Sequence, residues 1–352
     1  MRNFDKIRKI VIKIGTNTLS NADGSNIDTA YINRIARQIS ELVASGRQVM
    51  IVSSGAIGMG AGQLGLSRAV KGTRMRQTCA AVGQPLLMAE YRKAFARYGK
   101  AVAQVLLTSE VLNNRRTYLN LRNSIESLLE HSIIPVLNEN DCVSTAEIGS
   151  AFGDNDRLSA LVASKIDAGL LIMLSDIDAL YDKDPRRYKD AVPIHTIFEI
   201  SGQILKAAGR KGSRHATGGM KTKLEAARIA SDAGCRMVLA DGRTRNVIGR
   251  IIEGREIGTI FMPRRRLSNR LRWILNSTPS GTITVDEGAV KALRKRKSLL
   301  SSGILSVRGR FEAGSVVMIN DVAKARTSLS SSQLRSVAGR HSTEVKRMLG
   351  PD

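Results

Sequence analysis

Aromatic side chains are scarce in this chain of 352 residues, at 4% with a single tryptophan, so a core must be packed from Ile, Leu, Val, Ala and Met. Cysteine is scarce too. Cys79, Cys142 and Cys235 are far apart and form no C-x-x-C pair, which argues against a disulfide framework or a thiolate metal site and fits a reducing cytoplasm. The four histidines, His131, His195, His215 and His341, show no metal-ligand spacing, so no protein-held metal is expected. No apolar run approaches the ~20 residues that cross a bilayer, and Met1–Lys6 lacks the apolar region of a secretion signal. Acid is short as well: 31 Asp and Glu stand against 55 Lys and Arg, a net charge of +24.

What remains is ordinary for a folded chain, with 42% hydrophobic and 24% charged residues, and excludes disordered and collagen-like classes. At roughly 150 residues per domain, the length predicts about two domains. The positive surplus is uneven. Arg264–Asp352 holds 18 basic and 6 acidic residues, half of the whole excess. A basic C-terminal module suits polyanions, although a general compositional bias explains the charge equally well.

Strand and helix signals alternate along the first part. Ile7–Ile14, Gln48–Val52, Val102–Leu107, Ile133–Leu137, Leu170–Leu174 and Met237–Ala240 read as strands. Ile32–Ala44, Tyr118–His131 and Leu224–Ala233 read as helices, the first with Gly46 at its C-cap. The alternation predicts an α/β fold, a mainly parallel sheet sandwiched by helices, with ligands bound beyond the carboxyl ends of the strands.

Four polar or glycine-rich segments follow strands. Lys13-Ile-Gly-Thr-Asn17 puts a lysine in an apolar strand, which is costly without an anionic partner unless it lies on an edge facing water. Ser53–Gly62 can form an anion-binding backbone nest, or simply a tightly packed helix start. Asn138-Glu-Asn-Asp141 with Gly153-Asp-Asn-Asp156 can grip a zwitterion or orient lysines and Mg²⁺, or make two Asx-rich turns. Thr217-Gly-Gly-Met-Lys-Thr-Lys223 leads into a helix as a phosphate cradle would, or serves as a glycine hinge. It is not a Walker A loop, because Met220 precedes Lys221.

Taken in order, V-I-K-I-G-T, S-S-G-A-I, A-A-V-G-Q, N-E-N-D, G-D-N-D, L-S-D-I-D-A-L-Y and T-G-G-M-x-T-K resemble the amino acid kinase family from Ile7 to about Phe261. Within it they are most similar to the branch that phosphorylates glutamate at the head of proline biosynthesis. Gly281–Gly288 resembles the start of a PUA domain. The resemblance implies three parts: residues 1–262 as the catalytic domain, 263–280 as a basic linker, and 281–352 as a small PUA-like β-barrel. It implies ATP-dependent phosphorylation of the side-chain carboxylate of L-glutamate, with Mg²⁺ bridging the β- and γ-phosphates. By motif position, Lys13 and Lys223 would be catalytic with Asp156 orienting them. Ser54, Asn138, Asp141 and Asn155 would bind glutamate. Lys13, Gly15, Ser175, Asp176, Thr217, Gly218, Gly219, Met220, Lys221, Thr222 and Lys223 would bind ATP. Feedback by proline, a homo-oligomer and a cytoplasmic location follow from the same likeness. Alternatives are a family kinase acting on aspartate or acetylglutamate, or an RNA-binding protein using the C-terminal module, for which only weak contact is expected.

Two features depart from the pattern. Lys221 adds a third lysine to the phosphate loop. In the C-terminal module Ile319–Thr327 is compressed and the chain stops at Leu349-Gly-Pro-Asp352, where another strand is expected; this predicts an incomplete barrel.

Overall fold

β-branched and aliphatic runs build the central sheet in the computed structural model, which describes residues 2–21, 27–66, 70–143, 155–185, 187–202, 204, 219–263, 266–295 and 297–349. Its strands are β1 (Lys9–Ile14), β2 (Gln48–Ser53), β3 (Val102–Leu107), β4 (Ile134–Glu139) and β5 (Leu170–Ser175). A two-stranded ribbon of β6 (Leu180–Tyr181) and β7 (Pro193–Ile194) stands apart, and β8 (Thr196–Ile197), β9 (Arg236–Asp241) and β10 (Thr259–Phe261) complete the set. The order is β3-β4-β2-β1-β5-β9-β10-β8, parallel throughout except for the antiparallel pair β9–β10. This bears out the expected parallel sheet. Leu170 to Leu174 are buried without a break, as a strand covered on both faces requires.

Helices α1 (Thr16–Leu19), α2 (Thr29–Ala44), α3 (Ala56–Gln63), α4 (Thr73–Ala96), α5 (Ser109–Asn113), α6 (Arg115–Glu130), α7 (Asn155–Lys165), α8 (Met220–Asp232) and α9 (Val247–Ile252) surround the sheet. Asp28 caps α2 by accepting from Tyr31 N at 2.8 Å, and Gly46 ends it at φ +83, the left-handed conformation glycine adopts without strain. Side chains alternate across each strand. Ile10, Ile12 and Ile14 of β1 enter a core shared with α2, α4 and α9. Val11 enters the opposite core, shared with α6, α7 and α8. The alternation puts Lys13 on the same side as Val11.

The chain divides into two compact units, Met1–Ser268 and Asn269–Asp352. The second holds α10 (Asn269–Asn276), β11 (Thr282–Val285), α11 (Glu287–Arg294), β12 (Ile304–Arg308), β13 (Val316–Ile319), β14 (Ala323–Arg326), α12 (Ser331–Val337) and α13 (Ser342–Leu349). Its separate sheet runs β12-β11-β13-β14.

The structure adds detail after Pro263. The segment expected as a basic linker, 263–280, contains regular structure. Arg266 pairs with Asp167 at 2.7 Å in the first unit, α10 occupies its second half, and Lys324 Nζ donates to the carbonyls of Leu275 and Ser277 at 2.8 Å each. The compressed stretch after Ile319 contains β14. Asn320 and Asp321 turn the chain at φ +44 and +53, and the Asn320 amide bonds both backbone polar groups of Val285. Finally, the C-terminal stretch forms two helices, α12 and α13, with Gly339 between them at φ +75. Among the described residues no helix is long and apolar enough to cross a membrane.

Candidate active site

The carboxyl ends of β1, β2, β4 and β5 meet the first turns of α7 and α8. Lys13, Asp156 and Lys223 converge there. Lys13 Nζ lies 2.6 Å from Asp156 Oδ1, and Lys223 Nζ lies 3.1 Å from Asp156 Oδ2. Thr222 Oγ1 donates to the same Oδ2 at 3.0 Å. Both lysines are 3% exposed and Asp156 is fully buried, so the edge-strand reading of Lys13 falls. Burial raises the Asp156 carboxyl, but the Lys13 and Lys223 ammonium groups outweigh it and hold the group at about 2. One carboxylate fixed between two ammonium groups favours a further anion at this end of the sheet.

Helix α8 begins at Met220, earlier than Leu224, where the sequence placed it. That shift puts Lys223 inside the helix on its buried face and leaves Lys221 exposed. Gly219 caps α8 with extended backbone, accepting from Thr222 N at 3.1 Å and Thr222 Oγ1 at 2.8 Å. Thr217, Gly218, Gly153 and Asp154 lie outside the described residues.

A second cluster surrounds Asn155. Its Nδ2 donates to Ser53 O at 2.7 Å, Ser54 Oγ at 2.9 Å and Asn138 Oδ1 at 3.0 Å. Asn138 Nδ2 donates in turn to Gln84 Oε1 of α4 at 2.9 Å. Ser53 Oγ meets the buried Tyr91 hydroxyl at 2.9 Å. The structure thus joins Ser54, Asn138 and Asn155. Asp141, half-buried beyond β4, is not among the groups Asn155 holds; burial raises its carboxyl and Arg76 opposes the shift.

At the end of β5, Asp176 accepts from Asn17 Nδ2 at 2.9 Å and from Ser175 Oγ at 3.0 Å, while Arg243 Nη2 donates to Asn17 O at 3.1 Å. Burial would raise Asp176, yet its carboxyl sits below the usual range through these two hydrogen bonds and Lys223. Asn17 and Gln84 were legible as letters of two motifs but carried no role in the sequence reading. A Cβ on Gly15 would lie 3.4 Å from both Leu174 O and Lys13 Nζ, so this backbone runs directly against the buried cation. Glycine here lets a polyphosphate approach the backbone closely. The glycines after Ser54 have a different reason in part. A Cβ on Gly60 would lie 1.8 Å from Cys79 O, so Gly60 lets α3 cross α4 and the packed-helix reading holds there. Among the described residues no group of three His, Cys, Asp or Glu side chains could hold a metal ion.

Residues 8–241 match the model of the amino acid kinase family, and residues 281–349 match that of the PUA domain. A glutamate 5-kinase of Methanosarcina mazei is 46% identical over 358 residues, covering 99% of this chain and 93% of that protein. A glutamate 5-kinase of Caldanaerobacter subterraneus is 43% identical, covering 97% and 93%. Among solved structures, an isopentenyl phosphate kinase aligns with TM-score 0.50 at 18% identity, over 72% of this chain and all of that one. The UMP kinase of Bacillus anthracis aligns with TM-score 0.50 at 15% identity, over 74% of this chain and 98% of that one. These two likenesses speak to fold alone.

Proposed function

The chain belongs to the amino acid kinase family, and we propose that it transfers the γ-phosphoryl group of ATP to the side-chain carboxylate of L-glutamate. The products are L-glutamyl 5-phosphate and ADP, and the reaction opens proline biosynthesis. The buried Lys13–Asp156–Lys223 group carries the reading. The near-full-length likeness to glutamate 5-kinases supports the choice of substrate.

The attacking carboxylate, with a free pKa of about 4.3, is ionised at neutral pH and needs no general base. The work left to the protein is positioning and charge stabilisation. Lys13 from β1 and Lys223 from α8 neutralise charge that spreads onto the transferred phosphoryl oxygens. Asp156, firmly ionised, keeps both ammonium groups in place and does not take up a proton. Ser54, Asn138, Asp141 and Asn155 hold glutamate. Gly15, Ser175, Asp176 and the segment Thr217–Lys223 hold the nucleotide, and Mg²⁺ arrives with ATP as part of that substrate.

The test supplies Mg-ATP and hydroxylamine and measures hydroxamate with glutamate, aspartate or acetylglutamate. Glutamate is expected to dominate; equal or faster turnover of aspartate overturns the assignment. The same reading places the enzyme in the cytoplasm as a homo-oligomer inhibited by proline. Light scattering checks the oligomer and a proline titration of the assay checks the inhibition. Exposed Arg294, Lys295 and Lys297 at the end of α11 favour weak RNA contact by the second unit. Charge of this kind reads phosphates and not bases, so binding should fade steeply with salt. Tight, sequence-selective binding at high salt would promote RNA recognition to a main function.

A further inference from the structure

The A-A-V-G-Q segment, Ala80–Gln84, has no part in the scheme above. Its glycine is explained by packing: a Cβ on Gly83 would lie 1.9 Å from Ala56 O, so α4 meets α3 backbone to backbone. That close crossing fixes where the next residue points. Gln84 is 6% exposed and reaches Asn138 at the end of β4.

The orientation of these amides follows from one backbone group. Glu139 N can only donate, and it donates to Asn138 Oδ1 at 2.9 Å. Asn138 must therefore turn its Nδ2 toward Gln84, and Gln84 must present Oε1. The Gln84 Nε2 group is left buried without a hydrogen-bond partner among the described residues. Buried donors are almost always satisfied, and an orphan beside a binding site points to a ligand acceptor.

We propose that Gln84 is a specificity-determining residue of this site, donating from Nε2 to the carboxylate of glutamate that is not phosphorylated. The inference rests on the glutamate reading. Asn155 adjoins Asp156 in sequence, Asn138 is one hydrogen bond beyond Asn155, and Gln84 one beyond Asn138. Gln84 is thus the member of this relay separated from Asp156 by the most links. A substrate one methylene shorter cannot serve both ends, so Gln84 also discriminates against aspartate, because a buried donor left unpaired penalises the wrong substrate.

The test compares full-length wild type with Gln84→Glu and Gln84→Met in the hydroxamate assay. Gln84→Glu keeps an acceptor for Asn138 but removes the donor. The expected result is a KM for glutamate raised at least about tenfold at pH 8, with KM for ATP within about twofold. The loss should shrink as pH falls and the new carboxyl gains a proton to donate. A wild-type KM for Gln84→Glu would mean that Gln84 merely holds Asn138, and overturns the proposal. Gln84→Met, of similar shape, should raise the glutamate KM without that recovery and narrow the preference over aspartate; an unchanged KM again overturns it. It also serves if the glutamate variant does not fold. Failure of the wild type to use glutamate would sink the functional reading itself, whereas a normal wild type with indifferent variants sinks only the role of Gln84.

Discussion

The two units handle charge to different degrees. The first has apolar cores on both faces of its sheet and encloses two lysines and an aspartate at the sheet's end. The second has one small core around Ile283, Phe311 and Val317. Its helix α11 buries no residue completely, and Leu305 is 64% exposed. Its lysines and arginines mostly face water. Burying ions demands surrounding structure that fixes their partners. A large sandwiched sheet supplies that rigidity for a cluster of three ions, whereas among the described residues the small unit, with its high ratio of surface to volume, buries a single arginine, Arg272.

The sharpest way to break this contrast is to disturb the enclosed ions. Lys13→Ala and Lys223→Ala should each lower kcat by about 10²-fold or more, measured by ADP release. Lys221→Ala, an exposed neighbour, should cost far less; the reverse ranking would misplace the phosphate site by two residues. Asp156→Ala leaves two buried cations without their shared carboxylate and should cost about 3–5 kcal/mol of stability, read from denaturant midpoints.

Packing gives the next effect. Gly83→Ala drives a Cβ to 1.9 Å from Ala56 O and should destabilise by about 3 kcal/mol. In the second unit, Gly339→Ala meets nothing within 4 Å, and only its φ of +75 resists it, so about 1 kcal/mol is expected. Equal losses would erase the contrast between the units.

Acid provides a subtler test. Asp156 is held at about 2 against an ordinary 3.8. A depressed carboxyl stabilises the fold fully above its unfolded pKa and loses that contribution as pH falls through the folded one. The Asp156 contribution should therefore be complete above about pH 4 and vanish toward pH 2. Acid titrations of wild type and Asp156→Asn should converge across that window; a constant gap down to pH 2 contradicts the ion-pair account. The smallest expected effect is that of removing the second unit. Cleaving the chain after Ser268 should leave kcat/KM for glutamate within about threefold, as an independently cored domain allows.

Most strands were readable because β-branched runs in a covered parallel sheet leave an unambiguous trace; Val102–Leu107 matches to the residue. Helix α4, 24 residues long, was missed entirely. It packs against both α2 and α3, its sequence shows no simple apolar stripe, and Pro85 inside it reads as a breaker. Helix α7 was hidden because Asn155-Asp156 looks like the end of an Asx turn. The lysines and carboxylates of the site were visible as motif letters. Their convergence was not, since only the side-alternation of β1 and the register of α8 bring Lys13 and Lys223 to one carboxylate. Gln84 could not be found from sequence, because its meaning depends on an amide orientation set by Glu139 N.

The same carboxylate also sets a timetable for assembly. Asp156 and Lys223 are 67 residues apart, and Lys13 comes from the first strand. As the chain leaves the ribosome, β1 and α7 are present well before α8. Closing such long loops is entropically slow, and contacts between distant segments form late. Until α8 docks, Asp156 lacks its second ammonium partner, Lys223. If Lys223 acts as proposed, nascent chains released before α8 should show sheet structure without turnover.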